Sequence, residues 1–250
     1  MSYQNPQIVE FPRAEHQAVA GPNQFLSDEV WSHPFLKSAV VLDVESAHFC
    51  IEETGRRPVL EVALHGLEGL LRHWIVNPKC QISDIQQAWL DSKGLTRRRL
   101  EASNTLDEIL PAILVELENR ELCGWNLRED LRNISLNTID PTETYYSIEN
   151  IVGGLSDLMA MFTIYDPSGP WHPYRPREKH KLFPREGNFR FRKLDAVFKR
   201  LAIPEFQKKR SHRAATDAER AFYVLAWMSA NPPKPQEALI KISQSDGRYD

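Results

Sequence analysis

The chain has 250 residues, 42% of them apolar and 26% charged, with a net charge of −3, which suits a globular protein large enough to bury a core without staples. Its three widely spaced cysteines, Cys50, Cys80 and Cys123, exclude a disulfide framework and a Cys-based zinc site, and reduced thiols point to a cytoplasmic setting. No run of about 18 apolar residues would span a membrane, and Met1 to Phe11 lacks the basic and apolar regions of a secretory signal.

Residues 1–37, rich in Pro, Gln and Asn, read as an extended or partly disordered arm ahead of a domain at 38–230. Ala39 to Val44 is an apolar run interrupted by Asp43 and reads as a buried strand. Pro58 to Leu67 and Leu70 to Val76 are two more, with Gly66 and Gly69 placed for a turn, so the pair is expected to be antiparallel. The period then changes. Ile82 to Leu90 and Leu106 to Leu117 have helical spacing, with Ile109, Ile113 and Leu117 on one stripe. Glu121 to Trp125 suits a short strand and Leu127 to Ile134 a helix start. Gly153 and Gly154 break the next segment, after which Leu155 to Phe162 is expected to be helical. Leu194 to Leu201 is a helix by its spacing, and Thr216 with Glu219 forms a capping-box pattern ahead of a last one. Residues 231–250 form a Pro-containing tail. Three strands followed by alternating helix and strand indicate an α/β domain with a mixed sheet.

Charge is uneven. Trp171 to Arg200 holds ten Lys/Arg against three Asp/Glu, or +7, which leaves −10 on the rest of the chain. Trp171, Tyr174, Phe183, Phe189 and Phe191 lie in the same stretch. Cations hold phosphates and rings stack on bases, so this mixture suits single-stranded nucleic acid; a solvated surface loop has the same composition.

Three acidic groups stand out. Asp43 and Glu45 project to one side of a strand end, and two carboxylates forced together persist most easily around a hard divalent cation. The Asp-x-Glu spacing recurs at Asp217 and Glu219 and is uninformative by itself; what marks Asp43 is its place at the end of an apolar run, where a charge is costly unless compensated. Asn126 and Asp130 sit at a strand-to-helix junction, where taken alone they read as an N-cap and a helix-surface acid. His212 precedes Asp217 by five residues, which is about 140° on a straight helix, so both reach one site only if His212 lies on the loop before the helix.

Taken in order, Asp43-x-Glu45, Asn126-x3-Asp130 and His212-x4-Asp217 resemble the motifs of the DnaQ-like 3′→5′ exonucleases of the DEDDh type. VVLDVES, PVLEVAL and RHWIVNP are similar to that family's first three strands, ELCGWNLREDL to its second motif and SHRAATDAERA to its third. The resemblance covers about residues 38 to 228. It departs at Ser46-Ala47, where a pair of Thr is usual, at Trp125, where a His is common, and at Glu129, where an aromatic is common. It also departs in the length of the basic, Pro-rich insertion at 166–193.

The resemblance implies a ribonuclease H-like fold: a mixed five-stranded sheet flanked by helices. It implies hydrolysis of phosphodiester bonds at free 3′ ends of single-stranded DNA or RNA, with two Mg²⁺ or Mn²⁺ ions. Asp43, Glu45 and Asp217 would hold the first ion, Asp43 and Asp130 the second, and His212 would be the general base. Ser46 is a candidate contact to the terminal 3′ hydroxyl and Asn126 a second substrate contact. From composition, Arg190 and Arg192 are candidates for a backbone cradle. A nucleic-acid-binding or assembly module with the same fold but no turnover is the alternative, and an endonuclease a third. The 1–37 arm is left open to partner recruitment, homodimer formation or no role.

Overall fold

The apolar run from Ala39 builds the central strand β1 (Ala39–Ser46) of the computed structural model, which describes residues 28–47, 49, 56–80, 85, 87–165, 193–201 and 213–231. The arm to residue 27, most of the basic insertion, Arg190, Arg192, His212 and the tail beyond residue 231 lie outside the described residues. Two short helices precede β1: α1 (Asp28–Trp31) and α2 (Pro34–Ser38). This last part of the expected arm is helical because Phe35 and Leu36 are buried in the core.

The strands β2 (Val59–Gly66) and β3 (Gly69–Ile75) follow, each antiparallel to its predecessor as their close spacing predicts. Their connection passes through Gly69 at φ +107°, a conformation that a Cβ would strain. Three helices come next: α3 (Gln87–Lys93), α4 (Arg97–Glu101) and α5 (Leu106–Leu117). Then β4 (Glu121–Gly124) joins β1 in parallel, α6 (Leu127–Leu136) and α7 (Pro141–Ile151) cross over, and β5 (Gly154–Asp157) pairs in parallel with β4. The described chain ends with α8 (Leu158–Tyr165), α9 (Leu194–Arg200) and α10 (Ala214–Ala230). The five-stranded order is β3-β2-β1-β4-β5.

Strand alternation divides β1 between two cores. Val40 and Leu42 pack with Ile109, Ile113 and Leu117 of α5 and with Leu131 and Ile134 of α6. Ala39 and Val41 pack on the opposite face with Ala218, Ala221, Phe222 and Leu225 of α10. The sheet is therefore covered on both faces, which is why β2 is buried along its whole length.

Three local expectations need correcting. Helix α7 lies where the sequence reading places no element; Asp140 accepts the Glu143 N–H at 2.9 Å as its N-cap and Pro141 opens it. Residues 154–157 are a strand, and the helix expected from Leu155 begins at Leu158. The last helix begins at Ala214, so Thr216 and Glu219 lie inside it and form no capping box at its start. No helix among the described residues is long and apolar enough to cross a membrane.

Candidate metal centre

Parity along β1 puts Asp43 and Glu45 on the face that carries Ala39 and Val41, the face covered by α10. Asp217 lies in the first turn of α10. Asp43, Glu45 and Asp217 each offer a carboxylate oxygen within 4.8 Å of the others. Helix α6 brings the fourth acid. Gly124 ends β4, and a Cβ there would lie 3.0 Å from Leu127 Cδ1 and 3.1 Å from the Leu42 carbonyl oxygen, so any side chain would push α6 and β1 apart by a few tenths of an ångström. Asp130 is buried in the first turn of that helix, where the Val44 N–H donates to it.

The electrostatics are those of crowded, desolvated acids. Burial raises the Asp43 carboxyl well above its usual range, and the charges of Asp130, Asp217 and Glu45 raise it further, against Lys93 alone. Burial likewise raises Asp130, followed by the charges of Asp157, Glu45 and Glu129. Asp130 Oδ2 is buried with no hydrogen-bond partner among the described residues. An all-carboxylate donor set with an orphaned buried oxygen fits a hard divalent cation such as Mg²⁺ or Mn²⁺.

Two more expected site residues are described. Ser46 follows a register shift at Glu45/Ser46, and its hydroxyl is buried without a hydrogen-bond partner among the described residues. Asn126 precedes α6 in the left-handed region at φ 70°, and its side chain makes no capping bond.

Several residues around the site carry no sequence motif. Asp157, at the end of β5, is raised by burial despite N–H groups from Ala160, Met159, Asn126 and Arg128. Its Oδ1 caps α8 at 3.0 Å from Met159 N. Arg220 Nη1, buried in α10, lies 2.7 Å from Asp195 Oδ1 and 3.3 Å from Asp217 Oδ1, which restrains the Asp217 carboxylate. Lys93 Nζ, from the end of α3, lies 2.9 Å from Glu45 Oε2.

Glu61 stands opposite Glu45 in the β1–β2 register and is fully buried. Its Oε2 is 3.2 Å from His73 Nε2 and accepts the Ala214 N–H at 3.3 Å. Arg213 Nε is 2.7 Å from Oε1, a close ion pair. Glu61 therefore caps α10 from β2, on the sheet face that the helix covers, and fixes the helix start three residues before Asp217. A lone acid inside the apolar text PVLEVAL was the available signal for it.

No family model and no curated protein matches this chain. Among solved structures, it is similar to that of an ExoI/SSB-Ct complex, with 13% identity, a TM-score of 0.51, and coverage of 82% of this chain and 43% of that one. Cell-death related nuclease 4 aligns with 15% identity and a TM-score of 0.49 over 79% of this chain and 65% of its own. Exonuclease X in complex with 5′ overhanging duplex DNA aligns with 11% identity and a TM-score of 0.44 over 81% and 98%. The chain thus spans less than two thirds of the length of the first two. The first likeness establishes the fold expected from the sequence, a ribonuclease H-like mixed five-stranded sheet flanked by helices.

Proposed function

We propose that this chain is a metal-dependent 3′→5′ exonuclease of the DEDDh type, acting on single-stranded DNA or RNA. The observation that carries the proposal is the approach of Asp43, Glu45 and Asp217 to within 4.8 Å of one another, with buried Asp130 close enough to raise the Asp43 carboxyl. In this reading Asp43, Glu45 and Asp217 would hold one ion, and Asp43 with Asp130 would hold a second. When bound, such ions lower the pKa of the attacking water and neutralise charge on the phosphate and on the leaving 3′ oxygen.

The remaining work falls to the chain. His212, directly before the Arg213 that pairs with Glu61, takes the proton of the attacking water at a ring nitrogen, the general-base role that imidazole most often fills. Buried Ser46 donates its hydroxyl to the terminal nucleotide, and Asn126 adds a polar contact at the mouth of β4. Arg190 and Arg192 pair with backbone phosphates, a contribution that weakens with salt.

Digestion of 5′-labelled single-stranded DNA and RNA, 3′-free or 3′-blocked, with Mn²⁺ or with chelator, tests the reading. A ladder shortening from free 3′ ends, absent with chelator, is the expected result. Internal cutting of blocked strands would instead indicate an endonuclease, and binding without cleavage the catalytically silent module.

A further inference from the structure

Lys93 is the residue whose chemistry the motifs leave unexplained. It ends α3, and Gly94 follows at φ +66°, turning the chain away. Its side chain is 9% exposed, and lysines are almost never that buried unless their charge is matched. The match is Glu45: Nζ lies 2.9 Å from Oε2. The Trp89 ring, one helical turn back, lies 5.3 Å from the same ammonium and steadies it further. Glu45 is also one of the three acids whose oxygens converge within 4.8 Å. One carboxylate therefore serves two cations, the ammonium in this structure and the divalent ion of the proposed function.

We propose that Lys93 is a resident counter-cation of the carboxylate cluster, which holds Glu45 in the metal-free protein and must give way when the first divalent ion enters. The inference rests on the metal-site reading above and adds an element to it. Three acids gathered without a cation repel one another, and the ammonium relieves part of that repulsion before any ion arrives. An arriving divalent cation takes the same carboxylate and repels the ammonium at close range, so the two compete. The consequence is a metal affinity lower than the four acids alone would give, and a threshold metal concentration set by α3. Linkage makes the effect reciprocal: an ion that displaces Lys93 also loosens the end of α3 from the sheet.

Isothermal titration of MnCl₂ into the full chain, without nucleic acid, tests the competition. Lys93→Gln is expected to bind Mn²⁺ about tenfold more tightly than the natural chain, within the usual range of coupling between sites, and Lys93→Arg to stay near the natural value. Equal or weaker binding by Lys93→Gln overturns the inference while leaving the metal site standing. A natural chain that takes up no Mn²⁺ overturns the site and the inference together. Hydrogen exchange of the natural chain with and without Mg²⁺ needs no variant to fold. Faster exchange over residues 87–94 on adding Mg²⁺ is expected, and slower or unchanged exchange there contradicts the displacement.

Discussion

Asp43→Asn is expected to abolish phosphodiester hydrolysis and, without metal, to make the protein more stable. The loss of activity follows from position, because Asp43 is the acid placed to face both ions in the proposed site. Changing a group behind a metal ligand already costs about 10–100-fold, so removing the ligand charge itself must cost more. The gain in stability follows from the same geometry. The carboxyl is raised by burial first and then by Asp130, Asp217 and Glu45, so its charged form is disfavoured in the fold. A folded value above the unfolded one means that the native state holds the proton longer, and stability falls as pH climbs from the unfolded value through the raised folded one. Asn keeps the shape and removes the charge. Its melting temperature with chelator should exceed that of the natural chain at pH 7 and vary less with pH, by about 2–4 °C for each kcal/mol of repulsion relieved. Hydrolysis surviving in this variant would remove Asp43 from the chemistry. A lower melting temperature would mean that the natural carboxylate is compensated in the metal-free fold.

Glu61→Ala should have the opposite signature, with a large loss of stability. It would leave Arg213 and His73 without their acid and the Ala214 N–H without an acceptor. Removing one partner of a buried ion pair costs about 3–5 kcal/mol. Glu61→Gln, which keeps the shape and some hydrogen bonds, should cost less, about 1.5–3 kcal/mol. Burial pushes the Glu61 carboxyl up, but the contacts with His73 and Arg213 outweigh it and the group ends below its ordinary value of 4.5. The stability it contributes is therefore complete above the unfolded carboxylate value and is lost as pH falls through the lowered folded one. Urea unfolding at pH 7 and pH 3 measures both effects: the advantage of the natural chain over Glu61→Gln should shrink in acid. A cost below about 1 kcal/mol for the Ala variant would show that α10 is held by its apolar face alone. Hydrolysis should fall too, because the helix start that Glu61 fixes carries Asp217.

The sequence shows most clearly what depends on near neighbours. The apolar text of β1, β2 and β3 is continuous and bounded by turn residues, so their existence and antiparallel pairing are readable. Helix α5 keeps one stripe of Leu106, Ile109, Ile113 and Leu117 and is equally plain. The short strand β5 is not, because four residues carry little period and its apolar neighbours continue into α8. The start of α10 misleads for a physical reason. Thr216 and Glu219 have the lettering of a local cap, but the Ala214 N–H finds Glu61 on β2, distant in sequence, and the helix extends back to meet it.

The candidate site divides in the same way. Asp43 and Glu45 share a strand face by simple alternation, and the Asp217 lettering is distinctive once the three motifs are taken in order. Arg220 stands three residues after Asp217 on α10, a helical neighbour by spacing, whereas Lys93 and Asp157 belong to the same neighbourhood through contacts between distant segments, which no spacing along the chain encodes. Lys93 lies 48 positions from the Glu45 it touches.

The most direct measurement is anomalous scattering from crystals soaked in Mn²⁺. The four-acid site predicts two peaks about 3.5–4 Å apart, one among Asp43, Glu45 and Asp217 and the other between Asp43 and Asp130. Manganese bound only elsewhere, or no peak beside Asp43, would contradict it.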